Sequence, residues 1–460
     1  MPAPTRDIVH HFAHHAAGMT YDALPEPARD AARKSILDTL GVIMAASGME
    51  PAAQAVGRIV AEGGPGPCTV LGFGGTAPAL MAALGNGALA HGLDYDDQTP
   101  WGQHCASSIV PAVMALAERR GGISGREMIT AVAVGQDIFA RLRCHVGWKK
   151  DWNLSTILAV YAATAAGGRV AGLTADQIGH AMGVASMQSS GIMEMVAGQG
   201  SDLRGLYAGF SAKGAVLAVM MAGGGVTGIE HLFEGPSGVF ACHFGGSYDR
   251  AAILADLGHD LRGAGTLYKR WPCVGTAHSH MKAAIDIVTA QNLTPGDIAE
   301  ICLHVGDYHD TMCRPLSARI APDTLADAKF SLPFLVAVAT LRRGMAVGDF
   351  TAQGLRDPQV LALAAKVTLH PDAALNWTLA LPPGRVQITT HDGRSWLAEG
   401  HNVPGNADAP MGWDDLGAKF RECVAVAQTP VAPDRVALVL GLARKLETLP
   451  DATEVMRALA

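Results

Sequence analysis

The residues best suited to chemistry lie in one short stretch, Asn86-Gly-Ala-Leu-Ala-His-Gly-Leu-Asp-Tyr-Asp-Asp-Gln-Thr99, with His104 close behind. Three carboxylates and two imidazoles crowd together here, an arrangement that is costly unless it is used. Acidic neighbours raise the basicity of an imidazole, and carboxylates raise one another's pKa, which is how general acids and bases are tuned. His91, Asp94 and Asp97 recur every three residues, so a helix continued through them would set all three on one face. The structural alternative is a solvated helix end with aspartates capping backbone amides. A divalent metal is the other alternative, although no H-E-x-x-H or comparable ligand spacing occurs.

Two further clusters suit anions. Tyr268-Lys-Arg-Trp-Pro-Cys-Val-Gly-Thr-Ala-His-Ser-His280 places Lys269 and Arg270 beside a rigid proline, with His278 opening the next helix. This reads as a carboxylate clamp, or more plainly as a basic linker with a capping histidine. Gly200-Ser-Asp-Leu-Arg-Gly-Leu-Tyr-Ala-Gly209 leads into a helix with Lys213 in its first turns, and backbone amides there plus Arg204 would suit an anion. Weaker signals are the i, i+4 pairs His10/His14 and His11/His15, the glycine-rich Gly72 to Thr76, and Ser155, Ser189 and Ser190. None of these matches a phosphate loop or a G-x-S-x-G elbow.

The elements that must position these groups are mostly helices. In residues 30–46, Ile36, Leu40, Ile43 and Met44 recur at three- and four-residue intervals, which predicts a buried-face helix. Similar patterns predict helices over 79–89, 109–117, 126–142, 156–170, 175–190 and 211–221. From about residue 266 the texture changes. Residues 298–305 and 386–390 alternate like half-buried strands, and Asp392-Gly393 turns the second into 395–398 as a hairpin. Helices over 277–291 and 331–342 lie between these strands, and 413–460 returns to helical periodicity.

Of the 460 residues, 49% are hydrophobic but only 5% aromatic, and small residues abound, which favours closely packed helices over an all-β fold. The net charge of -7 and the lack of a basic block argue against nucleic acid. No apolar run predicts a membrane span, and the N-terminus does not read as a secretory signal. Eight scattered cysteines without a C-x-x-C pair suit reduced thiols in the cytoplasm and give no sign of a zinc ribbon or iron–sulfur cluster.

In this order, LDTLGV at Leu37 to Val42, NGALAHGLDYDD at Asn86 to Asp97, His104, KRWPC at Lys269 to Cys273, His278 and AKFSLPFLVA at Ala328 to Ala337 resemble the MmgE/PrpD family. The resemblance implies a mainly α fold: a large all-helical domain from both chain ends (1–265 and 405–460) and a smaller α+β lid (266–404). It also implies a site between them and a homodimer. The family's enzymes are dehydratases, decarboxylases and epimerases of small polycarboxylates, which share a carbanion-like centre beside a carboxylate.

On that carry-over His104 is the general acid or base, and Asp94 orients or tunes it. Tyr207 is a candidate for the second proton transfer. Lys269 belongs to the lid-domain motif and, with Arg204 and Arg270, binds substrate carboxylates; Gln98 and Asn153 donate hydrogen bonds, and His278 lies in the same motif. The chain departs from the family where Asn153, Arg204, Tyr207, Val274 and Gln98 stand at positions that often carry other residues, His and Lys among them. Asn does not shuttle protons as His does, and Arg is a poor base. The expectation is a lyase of hydro-lyase type that needs neither metal nor cofactor. An isomerase or epimerase, a decarboxylase, a non-catalytic polycarboxylate-binding paralogue and a metal-dependent hydrolase are the rival readings.

Overall fold

Small residues let the central helices meet backbone to backbone. A Cβ added to Gly209 would lie 2.4 Å from the Leu84 carbonyl oxygen, and one on Gly87 would lie 2.9 Å from the Gly209 Cα. The helices Ala79–His91 and Leu203–Gly223 therefore touch where larger residues would hold them apart. This contact has a functional consequence, because it brings His91 against Tyr207 with ring centroids 4.4 Å apart. The computed structural model describes residues 6–197 and 201–460, so Gly200 of the anion-binding reading lies outside the described residues.

Helix Glu26–Met49 runs through the body and is buried without interruption from Ser35 to Ser47. The Ala106–Arg120 and Gly125–Cys144 helices pack against it and each other, and Ala159–Val170 packs against both of them. The C-terminal helix Trp413–Ala425 returns to lie on Glu26–Met49, close enough that a Cβ on Gly41 would meet the Phe420 ring at 3.1 Å. Lys419 of this returning helix forms a buried ion pair with Asp38, 2.6 Å apart. Leu203–Gly223 is long and apolar enough to cross a membrane by composition alone, yet two-thirds of its most apolar window is buried within the fold. The expected helix over 211–221 begins a full two turns earlier than predicted, which puts Arg204 and Tyr207 inside it and Lys213 at its middle.

The helical body is not wholly α. Cys68–Thr69 and Thr76–Ala77 pair as a minimal antiparallel hairpin, and the glycines of the Gly72 to Thr76 run lie in its turn, with Gly72, Gly74 and Gly75 all at positive φ. The glycines thus serve backbone geometry. In the mixed segment, strands Ile298–Val305 and Arg385–Thr390 show the alternating burial that their sequences predict. The sheet order is Val367–Pro371, Ile298–Val305, Arg385–Thr390, Ser395–Glu399, with the first pair parallel and the others antiparallel. Val367–Pro371 escapes the sequence reading because an edge strand needs little apolar alternation and tolerates its terminal proline. Helices His278–Ala290 and Leu332–Arg342 pack together, the former against the sheet.

Candidate functional site

Helix Ala79–His91 ends at the first imidazole, and the chain then turns sharply, with Asp94 at φ +50°. A left-handed aspartate costs on the order of 1–2 kcal/mol, so something must hold it. Lys269 does: its ammonium donates to the Asp94 carbonyl at 2.7 Å and forms an ion pair with the Asp94 carboxylate. The two segments are brought together by backbone pairing, with Gln98 and Leu267 exchanging hydrogen bonds of 2.9 and 2.8 Å. Lys419 clasps the same junction, donating to the carbonyls of Tyr95 at 2.6 Å and Lys269 at 2.9 Å.

Because the helix stops at His91, the predicted single face of His91, Asp94 and Asp97 does not form. Asp97 turns away and accepts from the Ala106 amide at 3.3 Å at the start of the next helix, the capping role that was its plainer reading. Asp96 takes its place. Its carboxylate accepts from His91 Nδ1 at 2.8 Å and lies 3.5 Å from His104 Nδ1. His104 Nδ1 also contacts the Asp97 carbonyl, which can only accept, so the proton sits on Nδ1 and the Nε2 lone pair is left for chemistry. Nε2 stands 3.7 Å from Asp94 Oδ1, so Asp94 flanks the base without capping it.

His104 opens onto a cavity of about 580 Å³ counted with its mouth, lined from the helical side by Asp94, Gln98, Asn153, Arg204 and Tyr207, and from the mixed segment by Thr276, Tyr308, Phe330 and Trp377. Arg204 is 5% exposed and lies with its guanidinium over the Phe330 ring, 3.0 Å from the centroid. Tyr308 hydrogen-bonds it, while its Nε has no hydrogen-bond partner among the described residues. A buried, incompletely satisfied guanidinium facing a cavity is a receptor for a carboxylate. Tyr207 hydrogen-bonds Ser155, whose Oγ also accepts from the His104 amide at 3.0 Å.

The electrostatics separate the roles. Burial lowers the His104 imidazole to about 4 against the pull of Asp96, so it is a neutral base at neutral pH. Burial, then Asp96 and Asp94, push the Tyr207 phenol well above its usual range, which keeps it an O–H donor. Burial works to raise the Asp94 carboxyl, yet the Lys269 ammonium and the two imidazoles overcome it and hold it well below the carboxylate range. Asp96 is likewise held low by His104 and His91 against its burial. Asp97 is pushed well up by burial and then by Asp96 and Asp38. Burial lowers Arg204 to about 10, which leaves it a cation.

Several expected site residues sit elsewhere. Arg270 lies on the surface, paired with Glu422 at 3.1 Å, because the segment that sends Lys269 inward must send its neighbour outward. Lys269 is buried beneath Asp94 and committed to it, so it supports the cavity floor and leaves Arg204 as the cation that lines the cavity. His278 is buried against Trp271, with rings 5.2 Å apart, and does not line the cavity. Asn153 lines it but spends its side-chain oxygen capping Leu154–Ile157 through the Ser155 amide at 2.9 Å. Gln98 does line the cavity, packed against Gly275 so closely that a Cβ there would meet its Oε1 at 1.9 Å.

The expectation of no metal meets a specific counter-observation. His91, Asp94, Asp96 and His104 each bring a ligand atom within 4.8 Å of the others, a grouping able to hold a cation. The Lys269 ammonium already supplies positive charge at Asp94. Sequence reasoning missed Asp96, which the three-residue spacing passed over. It also missed Trp148, Tyr308, Phe330 and Trp377, for which only the position of Phe330 in the Ala328 to Ala337 run was a signal.

The chain matches the MmgE/PrpD N-terminal domain over residues 10–251 and the MmgE/PrpD C-terminal domain over residues 271–439. It is 25% identical to a cis-aconitate decarboxylase of Aspergillus terreus, over 97% of this chain and 95% of the relative. A cis-aconitate decarboxylase of Mus musculus is 25% identical over 99% and 93% of the two chains. A 2-methylcitrate dehydratase of Cupriavidus necator is 23% identical over 76% and 74%. Decarboxylases and dehydratases of this kind are lyases, and both halves of the fold that enclose His104 and Arg204 are covered. The chain belongs to the MmgE/PrpD family.

Proposed function

We propose that this chain is a metal-independent lyase of dehydratase or hydratase type, acting on a small di- or tricarboxylate by proton transfer next to a carboxylate. The observation that carries the reading is the pairing of an uncharged His104, Nε2 open, with a buried Arg204 of unfilled hydrogen-bonding capacity around one cavity. Arg204 binds the carboxylate that takes up electron density as the adjacent C–H proton passes to His104 Nε2. Tyr207 delivers its proton to the departing hydroxyl, so water leaves and a double bond forms. The enzyme then exchanges the two protons with solvent. Lys269 supports independence from metal, because it neutralises Asp94 where a cation would otherwise be needed.

The test is conversion of hydroxylated and unsaturated di- and tricarboxylates followed by NMR, with wild type and His104→Gln. Wild-type turnover, lost by about 10²–10⁴-fold in a folded His104→Gln protein, is expected. Near-normal rates in that variant would remove His104 from the chemistry, and full activity that disappears with a chelator would remove the metal-free reading. Decarboxylation is the second reading, favoured by the named relatives; it would show as carbon dioxide release without loss of water.

The protein would act as a cytoplasmic homodimer. Eight free cysteines support the compartment. The exposed Leu203 and Phe210, two turns apart on one helix, support the dimer as an apolar stripe, and sedimentation of Phe210→Glu checks it.

A further inference from the structure

The cavity is lined by one charged group set beside an aromatic wall, and the division of the lining between them limits what can fill it. On the charged side, Arg204 is the cation among the lining residues, since Lys269 is consumed by Asp94. On the other side stand Trp148, Trp377 and Tyr308. The Trp148 and Trp377 rings meet edge-on at 5.3 Å, and Tyr308 meets Trp377 at 4.9 Å.

Both indole N–H groups are already engaged within their own loops. Trp148 donates to the Trp152 carbonyl at 2.8 Å, and Trp377 to the Leu379 carbonyl at 3.1 Å. The two indoles therefore present only carbon to the cavity, and the Tyr308 hydroxyl is engaged with Arg204, so the wall has no free donor directed at a further carboxylate. Their positions are held. The Arg143 guanidinium sits 5.2 Å from the Trp148 ring, and Trp377 packs onto Gly102 so tightly that a Cβ there would lie 2.5 Å from its ring carbon. A tricarboxylate would bring three negative charges to the one cation among the described lining residues; Gln98, Gln103 and Asn153 are neutral, and a carboxylate set against the indoles would be buried charge without a partner, which is unfavourable.

From this division we infer that the substrate carries its reacting carboxylate on Arg204 and, in place of the further carboxylate arm of a tricarboxylate, an alkyl or aryl arm lying on the Trp148–Trp377–Tyr308 wall. The class is a substituted dicarboxylate, a 2-alkyl- or 2-benzylmalate or its dehydrated counterpart. This deepens the lyase reading and rests on it for the chemistry, while the recognition rests on the wall alone. Flat or branched apolar groups gain most from such a surface, because burial against aromatic rings removes them from water without any polar group being stranded.

The experiment compares 2-isobutylmalate and 2-benzylmalate with citrate and cis-aconitate, by kcat/KM and by calorimetric binding. The expected result is a preference of at least tenfold for the substituted malates, and a fall in that ratio by about tenfold in Trp377→Ala. Trp377→Leu, which retains an apolar surface, should fall between the two and guards against a folding defect in the alanine variant. Preferred turnover of citrate or cis-aconitate would overturn the inference and leave the lyase reading standing. Tighter binding of the substituted malates with no turnover of any compound would do the reverse. Equal or absent binding of both groups would also overturn the inference.

Discussion

Replacing Lys269 with methionine tests the electrostatic floor of the cavity. The Lys269 side chain is fully buried, and the Asp94 side chain is 5% exposed. Methionine fills similar volume and removes the charge, so the Asp94 carboxylate is left buried without its main compensation, and its left-handed backbone loses the donor to its carbonyl. Breaking a buried pair from one side costs about 3–5 kcal/mol, because the survivor keeps its desolvation penalty.

Asp94→Asn alone strands the ammonium and should cost about as much. The double variant removes both charges, and asparagine tolerates the left-handed conformation, so it should lie within about 2 kcal/mol of wild type. Urea unfolding followed by tryptophan fluorescence gives all four corners of the cycle. Sign and pH dependence follow from linkage. Wild-type Asp94, with its folded pKa held low, contributes stability above the unfolded carboxyl value that is lost as pH falls below it. In Lys269→Met burial is left to raise the Asp94 pKa, so that variant's deficit should shrink on acidification. A single-variant loss under about 1 kcal/mol, or a double variant whose loss equals the sum of the singles, would refute the argument.

The pH profile gives another check: with His104 lowered to about 4, kcat/KM should stay level from neutrality to about pH 5 and fall below, and a bend near 6.5 would mean the base is exposed or a different group. The same shift has a folding consequence, since the unfolded chain binds this proton more readily between about 4 and 6.5; acid titration of stability should show loss as pH falls through that window. Arg270→Ala should leave kcat/KM within about twofold and stability within about 1 kcal/mol, because its partner Glu422 is half-solvated; a large loss of turnover would return Arg270 to the site. Gly209→Ala should cost about 1–3 kcal/mol by forcing two helices apart at the Leu84 carbonyl, read as a lowered urea midpoint, and it should also weaken turnover by moving Tyr207 from His91.

Much of the architecture was legible in order and periodicity. The three- and four-residue spacing around Ile36 to Met44 marks a helix that is buried from Ser35 to Ser47, and the alternation in Ile298–Val305 marks a strand with alternating burial. What failed was local continuity. Reading His91, Asp94 and Asp97 as one helical face assumed that the helix ran on, and it stops where Lys269, 175 residues away in sequence, holds Asp94 in a left-handed turn. That turn selects Asp96 and turns Asp97 to the next helix.

The sequence by itself determined where most of the helices and the two central strands would lie and which family the chain resembles, and it offered His104, Arg204 and Tyr207 as candidates for the chemistry. It could do so because hydrophobic periodicity and the chemistry of a side-chain type can be read one segment at a time. Only the tertiary structure decided that Lys269 faces inward and Arg270 outward, and that two tryptophans from distant loops and a tyrosine from the short helix Asp307–Thr311 make one wall of the cavity. Those outcomes depend on which distant atoms share a small volume of low dielectric, and spacing along the chain does not encode that.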